Sequence, residues 1–291
     1  MIMNKDLTLV FSSYQSQHLL KKILSQFHNN YKIIIIENSQ DLNVKLSLEK
    51  KFNNVEVIVP DENLGLAKSY NLGIKKAKTN YVFLNNPDMK ITNQSVKNLI
   101  LCAKKIKNFG AISPIFKDEK MYKNYKIFSE KKKINSKIIK KFNIIEVDLL
   151  DNNLLINKKN IQKIIFDENF FLFFETFDFT SRLLKNGKKL YAVKKIKFHH
   201  LGASSLPLKF DNLVKKTRSF HYNWSKFYYL RKKFNYFHAL RKVFPNIIRA
   251  IKKMMINLFK MDVKNMKLNL LELMGLFTAI LLIRSFFRPK N

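Results

Sequence analysis

The run Tyr31-Lys32-Ile33-Ile34-Ile35-Ile36 constrains the fold more than any other part of the chain. Its four isoleucines are consecutive, so the strand it predicts must bury both of its faces. That is the situation of a central strand in a parallel sheet with helices on both sides. Leu7–Phe11, Val55–Val59 and Tyr81–Leu84 repeat the signal. Segments of helical period lie between them, such as His18–Phe27 with Leu19, Leu20, Ile23, Leu24 and Phe27. The alternation predicts an α/β fold with a doubly wound, mostly parallel, Rossmann-like sheet. The turn after the first strand lacks GxGxxG, so the dinucleotide fingerprint is absent.

Sheets of this kind bind ligands beyond the carboxyl ends of their strands. Polar residues gather at those positions here: Ser12-Ser13-Tyr14, Glu37-Asn38-Ser39 and Asn85-Asn86-Pro87-Asp88. Pro87 removes a backbone donor and blocks continuation of the strand, which holds Asp88 just past its end. Asp88 reads either as a ligand for a hard cation or as a turn residue capping the next helix. The loop at Asn63 and Gly65 precedes a helix over Ala67–Ala77, and glycine lets backbone approach a ligand. Asn71 and Gly73, on that helix, read equally well as packing residues.

A second constellation is Asp167-Glu168-Asn169-Phe170-Phe171-Leu172-Phe173-Phe174-Glu175-Thr176-Phe177-Asp178-Phe179. Glu175 and Asp178 are one helical turn apart and share a face. Burial against the preceding aromatic wall would raise a carboxyl's pKa and suit it to general-base work. The competing reading is an acid that complements a helix N-terminus. Downstream stands Phe198-His199-His200-Leu201-Gly202-Ala203-Ser204. Adjacent histidines point apart and Cys102 is the only cysteine, which argues against a zinc site.

The ordered set Asn63-x-Gly65, Asn71-x-Gly73, an apolar strand and Asn86-Pro87-Asp88 resembles the inverting family-2 glycosyltransferases, in particular the bacterial rhamnosyltransferase-like group. The Asp167–Phe179 block, the His-x-Gly segment and an Arg218…His221…Trp224-Ser225-Lys226 run extend the likeness from about Leu7 to Lys233. The resemblance implies a GT-A-like fold and transfer of a sugar from a nucleotide diphosphate to an acceptor hydroxyl, with inversion. Ser13, Tyr14, Glu37, Asn63, Gly65, Asn71 and Asn86 would then hold the nucleotide sugar, Glu37 by bonding its base or ribose. Asp88 and His200, with His199 as the alternate, would bind the diphosphate together with Mg²⁺ or Mn²⁺. Glu175, or else Asp178, would be the catalytic base. Asp148 and Asp151 fall where the family has an acceptor-side strand. The implied donor is a dTDP- or UDP-linked sugar such as dTDP-rhamnose, and the acceptor a surface or lipid-linked glycan. The chain departs from the pattern at Asn86, where Asp-x-Asp is common, and at Thr176, where relatives commonly have aspartate.

The 55 Lys and Arg outnumber the 21 Asp and Glu, giving a net charge of +34. Nucleic acid, an anionic membrane surface and an AT-rich coding bias each account for such an excess. Its placement favours the membrane. From Asn212 onward a basic-aromatic helix leads into Val243–Leu258, a basic amphipathic pattern. Leu268–Ile283 is more apolar, but is shorter than the roughly 20 residues of a span and carries Glu272. The chain is therefore expected to divide into a transferase domain over residues 1–212 and a membrane-associating tail over 213–291, with no nucleic-acid partner. A core helix or an oligomer contact is the other reading of the apolar run. The N-terminus has no signal-peptide core, which predicts the cytosol or the cytosolic face of the inner membrane. A non-catalytic basic nucleic-acid or membrane binder is the alternative function. It has no use for scarce acids placed at strand ends and beside an aromatic wall. A nucleotidyltransferase would need a Gly-rich triphosphate loop, which is missing.

Overall fold

The computed structural model describes residues 4–27, 30–118, 122–128, 137–200 and 210–288, with the side chains of residues 4, 5 and 200 left outside that description. The N-terminal half alternates β1 (Asn4–Ser13), α1 (Gln17–Phe27), β2 (Tyr31–Glu37), α2 (Leu42–Lys51), β3 (Val55–Ile58), α3 (Gly65–Lys76) and β4 (Tyr81–Asn85). Then come β5 (Met89–Lys90), α4 (Asn93–Lys105), β6 (Phe109–Phe116), β7 (Tyr125–Lys126), α5 (Lys137–Phe142), β8 (Ile144–Val147), β9 (Leu149–Leu150), β10 (Leu154–Asn157) and α6 (Lys158–Ile161). The last elements are α7 (Glu175–Lys185), β11 (Lys189–His200), α8 (Asp211–Lys233), α9 (Tyr236–Phe259) and α10 (Val263–Ile280).

A nine-stranded sheet runs β3-β2-β1-β4-β10-β6-β11-β5, with β8 also on β11. β3, β2, β1 and β4 are parallel, as are β6 and β11, while β10 runs antiparallel between β4 and β6. The isoleucine run behaves as its pattern demands. Ile33 and Ile35 enter the core on one side of the sheet, and Ile34 and Ile36 the core on the other. On the order of 1.5–3 kcal/mol accompanies full burial of each such side chain. That two-sided burial sandwiches β2, next to the edge strand β3, between the two cores, and the parallel pairing of β2, β1 and β4 aligns their carboxyl ends along one edge.

The 212/213 boundary expected from composition falls in the first turn of α8. This helix serves both parts of the molecule. One face supports the aromatic loop: Ser225 Oγ donates to Leu172 O at 2.7 Å, and Tyr228 OH to Asp167 at 3.0 Å. The other face packs on α9 and α10 around Phe220, Trp224 and Phe227. Gly275 of α10 lies against the Phe220 backbone so closely that a Cβ there would collide with it. Part of the Leu268–Ile283 run is therefore core, through Leu273, Leu276 and Ala279. Trp224 Nε1 donates to Ile283 O at 3.0 Å. The buried His221 ring lies 2.6 Å from Phe287 O through Nε2 and 3.0 Å from Ser285 Oγ through Nδ1. A carbonyl only accepts, so Nε2 carries the proton and Nδ1 accepts from the serine. Burial pushes this histidine down to about 3, so the ring clasps the C-terminal segment in its neutral form.

Candidate active site

A cavity of about 710 Å³ opens at the carboxyl ends of β1 and β4 and reaches the start of α7. Ser13, Tyr14, Asn63, Gly65, Asn86, Asp88 and Glu175 all line it. Residues more than 160 positions apart in the sequence thus meet in one space.

The wall at the ends of β1 and β2 is a network of loops. Glu37 is fully buried at the end of β2. Its Oε2 accepts from Ser13 Oγ at 2.6 Å, and its Oε1 from the backbone of Gln15 at 3.2 Å and Ser39 at 3.1 Å. Asn38 ties the same loops to α3. Its amide donates to Ser69 Oγ at 3.0 Å and to Ser13 O at 3.1 Å, while its carbonyl accepts from Leu64 N at 3.0 Å. Asn63 Oδ1 accepts from Gly65 N at 3.0 Å. Gly65 has φ +68°, and a Cβ there would strike the Phe171 carbonyl and ring. Leu66 N donates to that carbonyl at 2.8 Å, so the Asn63–Gly65 loop and the aromatic wall meet at a residue only glycine can fill.

The floor is the turn after β4. Asn86 accepts from Tyr70 OH at 2.8 Å, and Met89 N closes the turn onto Asn86 O at 3.0 Å. Asp88 is partly open to the cavity. Next to it, β5 pairs antiparallel with the end of β11, placing His199 opposite Lys90 and His200 opposite Met89. The His200 side chain and the Leu201–Ser204 segment lie outside the described residues, and His199 is exposed. Among the described residues no group of three His, Cys, Asp or Glu side chains could hold a metal ion.

The wall before α7 is aromatic and backbone-strained. Phe173 and Phe174 adopt left-handed conformations, φ 69° and 65°, immediately before Glu175. Such conformations cost roughly 1–3 kcal/mol each for bulky residues and concentrate at functional sites. They turn the chain sharply into α7, so its first residue faces the cavity. Glu175 is only 3% exposed. Burial pushes its carboxyl up to about 8, against hydrogen bonds from the backbone of Glu175 and Thr176 that lower it and with the neighbouring charge of Asp151 that adds to the rise. Among the described residues its buried Oε2 has no hydrogen-bond partner. Asp151, between β9 and β10, also lines the cavity and is also raised by burial, although hydrogen bonds from Thr176 and Tyr122 oppose that rise. Thr176, where aspartate was expected, thus fastens a carboxylate brought from another element. Tyr122 and Lys126 complete this end.

Three expected site residues stand off the cavity wall. Glu37 is spent on the Ser13 and Ser39 loops, behind the cavity lining. Asn71 clasps the Phe166 backbone, donating to its carbonyl and accepting from its N–H at 2.9 Å each. Asp178 is buried in ion pairs with Arg182 at 2.8 Å and Lys232 at 2.7 Å, on the side of α7 toward α8. Glu175 and Asp178 share a helix face only loosely, and one turn is enough to separate cavity from scaffold. Asn38 and Tyr122 join the site without a role expected from the sequence, and Thr176, read there only as a departure from the family pattern, holds Asp151. Asn38 had one available signal, its place beside Glu37 at a strand end.

Residues 17–165 match the family described as Glycosyl transferase family 2. No curated protein matches the sequence. Among solved structures, the mannosyltransferase PcManGT from Pyrobaculum calidifontis, in complex with GDP-Man and Mn²⁺, aligns with a TM-score of 0.56 at 9% identity, covering 96% of this chain and 89% of that one. GalNAc-T7 with UDP, GalNAc and Mn²⁺ aligns with a TM-score of 0.54 at 15% identity, covering 78% and 50%. TarS of S. aureus aligns at 0.49 and 13% identity, covering 74% of this chain and 39% of that one. The chain spans half or less of the GalNAc-T7 and TarS chains. At these identities the first two likenesses speak for the fold alone, a mostly parallel GT-A-like sheet with helices.

Proposed function

The chain belongs to glycosyl transferase family 2, and from that premise we propose that it moves a sugar from a nucleotide-diphosphate donor to a hydroxyl of a lipid-linked or surface glycan, inverting the anomeric carbon. The observation that carries the reading is Glu175. A carboxyl held near 8, with one oxygen unpartnered, faces a cavity whose opposite wall is built of backbone-rich loops at strand ends. A general base works best with a pKa close to the working pH. Glu175 takes the acceptor proton as the hydroxyl oxygen attacks the anomeric carbon, and the nucleoside diphosphate departs from the opposite face. Asp151, supported by Thr176 and Tyr122, orients the acceptor and adds to the rise that burial gives the Glu175 carboxyl. Ser13, Tyr14, Asn63, Gly65 and Asn86 form the donor surface, with Glu37 and Asn38 setting the shape of its loops.

A divalent cation fits the donor side on the chemistry of its residues. Asp88 offers one hard carboxylate, and Asn86 is already engaged by Tyr70. One protein carboxylate suits Mg²⁺ or Mn²⁺, which take further oxygens from substrate phosphates and water. Asp88 would hold the ion, with His200, opposite Met89 in the β5–β11 pairing, as the second proposed ligand. When bound, such an ion offsets charge on the departing diphosphate.

A dTDP- or UDP-linked donor, rhamnose among its sugars, follows the resemblance of the motifs to the rhamnosyltransferase-like group. The proposed place of work is the cytosolic face of a membrane that holds the lipid-linked acceptor. The test is thermal unfolding of the full chain with a panel of nucleotide sugars, with and without Mn²⁺. One nucleotide class should raise the melting temperature, and more so with the ion. A panel with no stabilising member would defeat the reading.

A further inference from the structure

The tail carries more apolar surface than its packing uses. α9 turns Ala239, Val243 and Ala250 into the protein. Phe237, Phe244, Ile248, Ile251, Met255 and Leu258 are all exposed, and they recur at spacings of seven, four, three, four and three. Those spacings mark one face of a helix, and it is a different face from the buried one. α10 repeats the arrangement. Leu273, Leu276 and Ala279 are buried, whereas Leu270, Met274 and Phe277 are exposed, and Leu281 beyond its end continues the same spacing. At the corner between the helices, Phe259 and Met261 are 83% and 87% exposed. A fold that needed only a core would keep neither stripe nor corner apolar.

The charge beside the stripes is of one sign. Arg241, Lys242, Lys252, Lys253 and Lys260 are exposed along α9. The two acids between residues 236 and 280 are both engaged in the fold. Asp262 caps α10 through Asn265 N at 3.0 Å, and Glu272 pairs with Arg249 at 3.2 Å. This combination selects among occupants. A second copy of the chain would bring its own +34 against the same lysines. Nucleic acid would satisfy the lysines but leave the stripes in water. An anionic bilayer takes both, with apolar side chains at the headgroup–acyl boundary and lysines among the phosphates. Among the described residues no helix is long and apolar enough to cross a membrane.

We infer that the α9–α10 hairpin lies in the plane of an anionic bilayer, held by its two apolar stripes and the Phe259–Met261 corner. This surface deepens the function proposed above, resting on it only for the acceptor's being lipid-linked, and is measurable without any transfer assay. The test is co-sedimentation of the full chain with phosphatidylglycerol–phosphatidylcholine vesicles and with pure phosphatidylcholine vesicles, at low and high salt. The chain should favour the anionic vesicles at least tenfold and keep part of its binding at high salt. A Phe259→Ser, Met261→Ser double variant should lose at least about tenfold in partition, given the transfer free energy of two such side chains. Both positions are exposed, so its thermal unfolding and its stabilisation by a nucleotide sugar should match wild type. Three results overturn the inference: no preference for anionic vesicles, equal binding by the variant, or wild-type self-association that the variant abolishes. Failure of every nucleotide sugar to stabilise either protein would count against the transferase reading and leave this one standing.

Discussion

Two buried glutamates mark the two sides of the cavity, and their surroundings differ. Glu37 ends β2 with both oxygens engaged by Ser13 and by the backbone of Gln15 and Ser39. Glu175 begins α7 with Oε2 unpartnered and its carboxyl pushed up to about 8. Both acids are nearly inaccessible to solvent. Burial alone therefore does not make a carboxyl reactive. What matters is whether the protein completes its hydrogen bonds or leaves one to be completed by a substrate. The Glu37 side, proposed to face the donor, is a closed network that holds loops in place. The Glu175 side, proposed to face the acceptor, is an open one, assembled on a strained aromatic turn.

The strongest way to break this contrast is Glu175→Gln, which keeps shape and removes the base. Turnover should fall by about 10²–10⁴, with donor affinity nearly unchanged. Initial rates at saturating donor, set beside donor titrations, separate the two quantities. Parallel loss of donor affinity would show that Glu175 holds the donor instead, and near-normal turnover would move the base to Asp151.

The parts legible in the sequence are those whose signal is local. The isoleucine run announced a strand buried on both faces. Pro87 announced the end of β4, and with it the position of Asp88. The aromatic run before Glu175 announced a buried acid. The parts that were not legible depend on pairings across long stretches of chain. Thr176 meets Asp151 from 25 positions away, Tyr122 meets it from 29, and His221 meets the C-terminal segment from more than 60. Spacing could not separate Glu175 from Asp178 either. Their difference is set by Lys232 of α8, which lies 54 positions beyond Asp178 and holds it in the scaffold. The tail was ambiguous for a related reason. Composition shows apolar and basic residues, but only packing divides them into a core face and an exposed stripe.

Glu37→Gln probes the closed network and should have the next largest effect, on stability rather than on chemistry. Hydrogen bonds to a charged group contribute roughly 1.5–3 kcal/mol each. The amide still fills the space but offers one acceptor oxygen where the carboxylate offered two. A loss of about 2 kcal/mol is expected in urea unfolding, accompanied by weaker donor binding as the Ser13 and Ser39 loops loosen. Turnover at saturating donor should stay within about threefold. Unchanged stability with a large loss of donor affinity would instead make Glu37 a direct ligand of the nucleotide.

The smallest expected effect, and the sharpest for the comparison, is the pH dependence expected from Glu175. A base with a pKa near 8 is about one-tenth ionised at pH 7, so kcat/KM should rise roughly tenfold from pH 7 to its plateau above 8. Stability should move the opposite way. Between the ordinary carboxyl value of 4.5 and about 8, the folded protein keeps a proton on Glu175 that the unfolded chain has released. The unfolded state then binds fewer protons, so this contribution is full below 4.5 and is lost as pH rises through about 8. Asp151, also raised by burial, adds to the same trend and couples to Glu175, so a measured midpoint belongs to the pair. Glu175→Gln removes one partner and should flatten both profiles, making the variant more stable than wild type at pH 9. Rate profiles and urea titrations of the two proteins across pH 5–9 provide the check. A wild-type stability that climbs with pH through this window would mean that Glu175 is ionised when folded, with its hydrogen bonds complete like those of Glu37.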